Sequence, residues 1–309
     1  MPRRRDRRSE VAELLAAALL DTDRAALAAR DPLAEVRAFA QPEREVVAHL
    51  AAALCYGAVG QIRAAIRAVT LPMEHAPTAW IRGMRRGDLA AALGPWRYRM
   101  TGADDIDRYA ASLGVLLRRH GSLEAAFVAD GAEGTLLERL DRYVASLRGA
   151  LEEPESRGFA YLTPRPAAGS AVKRWMLLLR WLARPDDGAD LGLWRCVSPA
   201  ELLLPLDTHT CRMSRALGLT RRATVDTRMM LEVSEALRSI RPDDPMALDM
   251  PLCHLGIARE CLHRYDEPTC GRCPIRSACC WAAKGGRVRE KAAVRGSHRP
   301  VTRSPEDDG

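Results

Sequence analysis

The chain has 309 residues, enough for one large domain or for two lobes with a substantial hydrophobic core. Ala, Leu and Arg are abundant and only 5% of the residues are aromatic, a composition that favours helices. The net charge is +7: residues 1–8 hold five Arg and one Asp (+4), and residues 284–309 hold seven Lys or Arg and four Asp or Glu (+3). Residues 9–283 are therefore close to neutral, so total charge alone does not indicate a core that binds nucleic acid.

The beginning of the chain is basic and then apolar, but Glu10 and Glu13 interrupt the apolar segment. This pattern favours an amphipathic helix over an export signal. No apolar run approaches the roughly 20 residues of a membrane-spanning helix. We therefore expect a cytoplasmic protein without a membrane segment, whose nine cysteines bind metal or remain free thiols rather than forming disulfides. Residues 1–8 and 284–309 are expected to be basic, disordered tails.

Helical periodicity continues through the first half of the chain. Two or three helices are predicted between residues 31 and 70, with Gln61 just after a break at Tyr56 and Gly57. Residues 71–100, which are rich in Pro and Gly, are expected to form loops. They end in Trp-Arg-Tyr-Arg, where Arg99 and its neighbours suit either stacking on bases and holding phosphates or half-buried packing. Further helices are predicted at residues 106–120, 122–129 and 134–151.

Lysine is rare in this chain, and Lys173 is its only lysine before residue 284. Lysine can act as a neutral amine, whereas arginine stays charged, so one lysine among many arginines is either a chance of composition or a site that needs an amine. Lys173 lies in the first turn of a predicted helix over residues 171–184. Arg180 and Arg184 fall on the same side, so we expect a basic face, either solvated or turned toward phosphates.

Asp207 follows an apolar run that ends at Pro205, and it opens a short predicted helix that ends at Gly218. Asp is a preferred N-cap residue, which is one sufficient reason for its presence. The other reading is a carboxylate held in a cleft, beside a position where positive charge develops during a reaction. Two more helices are predicted, over residues 224–240 and 245–260.

Four cysteines near the end of the chain have the spacing C-x8-C-x2-C-x5-C: Cys261, Cys270, Cys273 and Cys279. Four thiolates on a short looped segment predict a closed metal site. The cysteines alone do not distinguish zinc from an iron–sulfur cluster.

Together these motifs resemble the helix-hairpin-helix DNA glycosylases, the superfamily of endonuclease III and the 8-oxoguanine glycosylases. The segment Asp207-Thr208-His209, with Arg212 and Leu217-Gly218-Leu219, is similar to their Val-Asp-Thr-His…Arg…Leu-Gly-Leu segment. The cysteine spacing is similar to their [4Fe–4S] loop, C-x6-C-x2-C-x5-C, with a first gap that is two residues longer. Many members have Leu-Pro-Gly-Val-Gly and then a catalytic Lys, with the Asp 18–20 residues later. Here the hairpin is shortened to residues 166–170, and Lys173 stands 34 residues before Asp207.

The long interval is most similar to that of the archaeal 8-oxoguanine glycosylase branch. A bacterial family without an assigned function also shows similar patterns. These are Lys-Arg-(apolar)-Leu-Arg-Trp, Asp-x-Gly-x-Trp and Pro-Leu-Asp-Thr-His, which stand here at 173–181, 190–194 and 205–209.

The resemblance implies an all-α, two-lobed fold. A helical barrel-like lobe would span residues 41–185, and residues 9–40 with 198–283 would form a lobe carrying the cysteine loop. It implies a glycosylase with AP-lyase activity on a damaged purine, oxidised purines included, that is flipped from duplex DNA, with Lys173 and Asp207 catalytic. It favours a [4Fe–4S] cluster over zinc and a monomer that binds DNA. The DNA-binding residues would be Gln61, Arg99, Gly169, Ser170, Arg174, Arg180, His209 and Arg212.

Two alternatives to an enzyme remain open. The first is a non-catalytic iron–sulfur protein that binds nucleic acid on the same scaffold. The second is a helical interaction module that a zinc ion stabilises as a structural cross-link. DNA binding without base release would favour the first, and zinc content without DNA binding would favour the second.

Overall fold

The computed structural model describes residues 4–20, 29, 31–257, 261–262 and 264–283. The α-helices are α1 Arg4–Leu20, α2 Leu33–Arg37, α3 Arg44–Leu54, α4 Val59–Thr70, α5 Pro77–Gly83, α6 Asp88–Leu93, α7 Ala103–His120, α8 Leu123–Ala129, α9 Leu136–Arg148, α10 Arg157–Leu162, α11 Lys173–Ala183, α12 Thr208–Ala216, α13 Thr227–Arg238, α14 Asp249–Ile257 and α15 Glu267–Cys270. Short 3-10 helices lie at Gln41–Glu43, Leu71–Met73, Pro166–Ala168, Pro199–Glu201 and Pro245–Leu248.

The described residues are mostly helical, which confirms the all-α prediction at the level of fold class. One antiparallel pair of two-residue strands, β1 Arg97–Tyr98 and β2 Thr101–Gly102, accompanies the helices. Helix α7 shows why the sequence forms helices: its apolar positions from Ile106 to Leu117 recur at helical spacing and are buried. The helix ends before Gly121, whose φ of +86° suits glycine.

The prediction of loops over residues 71–100 was wrong in part, because helices α5 and α6 lie there. The start of α6 is stabilised by Asp107 of α7. The buried Asp107 carboxylate accepts hydrogen bonds from the main-chain N–H groups of Gly87 (2.9 Å), Leu89 (2.8 Å) and Ala90 (3.1 Å). This cap comes from a residue distant in sequence, so local turn signals could not reveal it.

The buried apolar residues form one core cluster around helix α3. Helix α3 packs against α2, α4 and α11, whereas α12 packs along α14, which also contacts α1.

The Asp190-x-Gly-x-Trp motif has a structural role in the core. Trp194 is buried beside His49 and donates a hydrogen bond from Nε1 to Oε1 of Glu45 at 2.8 Å. A side chain at Gly192 would come within 2.8 Å of a main-chain nitrogen, so the turn requires glycine.

The structure describes part of the predicted N-terminal tail and none of the predicted C-terminal tail. Helix α1 begins at Arg4, so it includes residues 4–8 of the predicted tail. Disorder over residues 1–8 stays a prediction. The tail predicted over residues 284–309 lies outside the described residues. Among the helices that the structure describes, none is both long and apolar enough to cross a membrane.

Candidate functional site

A groove of about 930 Å³ runs between the first turns of α11 and α12. Lys173 is the first residue of α11 and Asp207 is the N-cap of α12, and both line the groove. The other charged residues in the lining are Arg174, Arg212 and Arg215. Four cationic side chains therefore oppose one carboxylate, and the groove is electropositive although residues 9–283 are nearly neutral.

Asp207 both caps α12 and presents a carboxylate to the groove. Its Oδ1 atom accepts hydrogen bonds from the main-chain N–H of Thr210 at 2.8 Å and from the Thr210 hydroxyl at 3.1 Å. The other carboxylate oxygen, Oδ2, has no hydrogen-bond partner within the part of the chain that the structure describes. The two readings of Asp207 are therefore compatible, because capping uses one oxygen and leaves the other available.

Lys173 follows a strained backbone position. Val172 has a φ of +35°, a left-handed conformation that is rare for a β-branched residue. Such positions cost about 1–3 kcal/mol and persist only where the surrounding structure enforces them. Here the preceding turn is tied to helix α13. Thr227 donates from its N–H to the Gly169 carbonyl (3.1 Å) and from its hydroxyl to the Ser170 carbonyl (2.9 Å).

The charges of both Lys173 and Asp207 influence the buried thiol of Cys253. Burial raises the pKa of Cys253 strongly, Asp207 and Asp249 raise it further, and Arg180 and Lys173 oppose that change. The catalytic candidates thus act electrostatically on the same buried group. They stand at the starts of different helices, and the structure brings both to one groove.

Asp31 is a neighbour of this site that the sequence reasoning missed. Burial raises the pKa of the Asp31 carboxyl, and its hydrogen bond to Leu33 together with the charges of Arg180 and Lys173 lowers it in part. Its Oδ1 accepts the main-chain N–H of Leu33 at 2.8 Å, just before α2. In the sequence, the only available signal was that of a helix-capping Asp, with nothing to connect it to Lys173.

Arg174 and two tyrosines form one wall of the groove. The Arg174 guanidinium donates to the carbonyl oxygens of Ala53, at 2.7 Å, and Tyr161, and burial lowers its pKa. It lies 4.5 Å from the Tyr161 ring centroid and 5.2 Å from that of Tyr56, which indicates cation–π contacts. The two rings are nearly perpendicular, with centroids 5.1 Å apart, and Tyr161 remains 37% exposed. Tyr161 was not anticipated from the sequence.

The predicted basic face of α11 was wrong beyond its first turn. The Arg180 side chain is only 7% exposed and pairs with Asp190 at 3.1 Å and with Asp249. Arg184 is equally buried among carboxylates. Arg180 is therefore not placed to contact DNA, because acidic residues from two other segments cover that face of the helix.

The remaining predicted DNA contacts divide into two groups. Ser170, His209 and Arg212 line the groove, and Arg212 is exposed. The buried Nδ1 atom of His209 lacks a hydrogen-bond partner among the described residues. Gly169 is exposed in the left-handed turn before the groove, with a φ of +80°.

Arg99 and Gln61, like Gly169, lie outside the groove lining. Arg99 is exposed on the turn between β1 and β2. Its guanidinium reaches the groove residue Gly57, where an added Cβ would stand 3.2 Å from the Arg99 side chain. Gln61 is exposed in the first turn of α4 and is not among the groove-lining residues. A DNA contact by Gln61 stays a prediction.

The four cysteines of the predicted metal site line one pocket: Cys261, Cys270, Cys273 and Cys279. Burial raises the pKa of Cys273 and of Cys279, and neighbouring thiols of the set raise it further. Within the described residues, no three His, Cys, Asp or Glu side chains are arranged as a metal-binding group. The pocket also includes Ala216, so the cysteine loop packs at the opposite end of α12 from Asp207.

The chain belongs to a family described as a protein of unknown function (DUF2400), whose model matches residues 31–258, well over half of the chain. The match includes both walls of the groove and ends before the first cysteine of the loop. No curated protein and no solved structure matches the chain.

Proposed function

We propose that this protein is a DNA glycosylase with AP-lyase activity that acts on a damaged purine, oxidised purines included, flipped from duplex DNA. The observation that carries the proposal is that Lys173 and Asp207, which begin different helices, line one electropositive groove. An amine and a carboxylate beside bound DNA supply the nucleophile and the base that this reaction needs. Both groups come from one chain, and we propose that a monomer is the acting unit.

The groove lining suits a nucleotide extruded from a duplex. Arg212 and the main-chain N–H groups at the helix starts suit phosphates. The exposed part of the Tyr161 ring suits stacking on a base, a contact that tolerates different sequences. A volume of about 930 Å³ lies within the range of pockets that enclose a small ligand.

In the proposed reaction, the neutral amine of Lys173 attacks C1′ of the damaged nucleotide. The bond between C1′ and the base nitrogen breaks, and the base leaves with the bonding electrons and takes up a proton. Asp207 balances the positive charge that develops on the sugar and accepts the proton that the amine loses. The sugar ring then opens to a Schiff base between Nζ and C1′. Loss of a C2′ proton and departure of the 3′ phosphate would cleave the strand.

We also propose that Cys261, Cys270, Cys273 and Cys279 hold a [4Fe–4S] cluster, with zinc as the alternative. Their shared pocket at the end of α12 supports this assignment. A bound cluster would stabilise the loop as a structural cross-link. The groove residues, not the cluster, carry out the proposed chemistry.

Base release from a panel of lesion-bearing duplexes tests the proposed function. The parent protein should release at least one damaged purine and leave a strand that breaks without added alkali. Lys173→Gln should do neither while still binding the duplex. Binding by the parent without any base release would instead support the non-catalytic nucleic-acid-binding alternative.

A further inference from the structure

A network of largely buried charges connects helix α11 with the start of α14 and the segment before it. Arg180 and Arg184, both on the α11 side, contact carboxylates from two other parts of the chain. The carboxylate members are Asp187, Asp190, Asp244 and Asp249.

Asp190 and Asp249 hold Arg180 from two directions. The Asp190 side chain is fully buried and bridges the two arginines, with its Oδ1 3.1 Å from Nε of Arg180 and its Oδ2 bonded to Arg184. Asp249, only 7% exposed, bonds to the other side of the Arg180 guanidinium. Arg184 then forms two bonds of 2.9 Å to Asp244. A buried charge that loses its partner is strongly destabilised, so the network favours one arrangement of these helices.

The positions of these residues connect the network to both proposed catalytic groups. Arg180 lies about two turns, or roughly 10 Å, along α11 from Lys173. Asp249 is the first residue of α14, which packs along α12, the helix that Asp207 begins. The Arg180–Asp249 ion pair therefore links the helix of the amine to the neighbour of the helix that carries the acid.

We infer that Asp249 is a positioning residue, which fixes the placement of Asp207 relative to Lys173 through its ion pair with Arg180. The inference rests on the proposed function, since it concerns the geometry of the same two groups. The electrostatics agree: burial raises the pKa of Asp249, Arg180 lowers it, and Asp207 raises it, so Asp207 and Asp249 are close enough to interact. Asp249 has no place in the groove lining and would act without touching DNA.

Asp249→Asn tests this role, and Asp187→Asn is its matched control. The control removes a carboxylate from the rim of the same network, where Arg184 keeps Asp190 and Asp244. Asp249→Asn should bind lesion duplex as the parent does while its single-turnover rate of base release falls about 100-fold. Asp187→Asn should keep the parent rate. Parent rates in both variants would overturn the inference.

A double-mutant cycle separates positioning from general destabilisation. If Asp249 acts through Asp207, adding Asp249→Asn to Asp207→Asn should lower the single-turnover rate no further. Independent, multiplicative losses would show that Asp249 does not act through Asp207. The rates are measured where each variant is fully folded. A variant that does not fold is replaced by Arg180→Lys, which breaks the same geometry and keeps the charge.

Amide hydrogen exchange tests the positioning role of Asp249 without an activity assay. Asp249→Asn, but not Asp187→Asn, should speed amide exchange in the first turns of both α11 and α12. Faster exchange confined to α14 would overturn the inference. Absence of base release by the parent would count against the proposed function, while this exchange result would still decide the positioning role.

Discussion

Lys173 and Asp207 each stand at the beginning of a helix, and both helix starts line the same groove. Their charges shift the pKa of the buried Cys253 thiol in opposite directions: Asp207 raises it and Lys173 lowers it. Base release and covalent trapping both depend on this placement of an amine and a carboxylate in one electropositive groove.

Replacement of Asp207 by Asn should separate capping from catalysis. Asn keeps an oxygen for the Thr210 N–H and is itself a good N-cap, so the free energy of unfolding should change by less than about 1 kcal/mol. The carboxylate charge is lost, so single-turnover base release should fall about 100-fold. Urea unfolding and excision assays measure the two effects.

Asp226→Asn is the matched control for that variant. Asp226 caps α13 through the N–H of Met229 at 2.8 Å and does not line the groove. It should retain the parent excision rate. Full activity in Asp207→Asn would remove its carboxylate from the mechanism.

The exposed ring of Tyr161 should contribute to DNA binding by stacking. Tyr161→Ala should weaken binding of lesion duplex on the order of tenfold, because base–aromatic stacking is worth about 1–3 kcal/mol. Tyr161→Phe keeps the ring and should bind as the parent does. Arg174 bonds the main-chain oxygen of residue 161, so this contact survives both changes. Fluorescence anisotropy in the Lys173→Gln background measures affinity without turnover, and equal affinities for Ala and Phe would refute stacking.

The cysteine loop should bind iron. Protein purified without air should be brown and contain iron and sulfide, and Cys273→Ser should lose both. Cys196→Ser is the control, because Cys196 is half-buried and lies outside the cysteine pocket. A colourless parent protein that contains zinc would contradict the cluster and support the alternative metal.

The turn before Lys173 should become less stable in acid. The hydrogen bond from Arg165 holds the pKa of Asp141 below its usual value, and Asp141 also accepts the Ala167 N–H at 3.1 Å. A lowered folded-state pKa contributes stability above the unfolded value of about 3.9, and this contribution disappears as the pH falls through the folded-state value.

Asp141→Asn should therefore lower the free energy of unfolding at pH 7 by about 0.5–1 kcal/mol, a value reduced for solvent screening of the partly exposed pair. At a pH below the folded-state pKa, parent and variant should differ much less. Urea unfolding at neutral and acid pH gives both differences. A difference that does not shrink in acid would show that the ion pair is not its source.

Local signals in the sequence predicted much of the helical fold. The apolar period of α7 and the Asp207 cap of α12 needed only neighbouring residues, and both are present in the structure. The prediction that Lys173 and Asp207 lie in one groove came from the family resemblance, because no local signal relates the two helices.

The predictions that failed concern residues whose neighbours come from distant parts of the sequence. A helical wheel placed Arg180 on the same side as Lys173, but it could not show that Asp190 and Asp249 cover that side. Asp31 was missed for the same reason, since its relation to Lys173 exists only in the folded chain. Tertiary contacts between such distant residues decided which arginines are buried and which line the groove.

Borohydride trapping followed by peptide mapping tests the central claim most directly. Reduction of the Schiff base should join the parent protein covalently to a lesion-bearing duplex, and the modified peptide should contain Lys173. Lys173→Gln should bind the same duplex and form no adduct. An adduct that maps to another residue, or one that survives the substitution, would contradict the account.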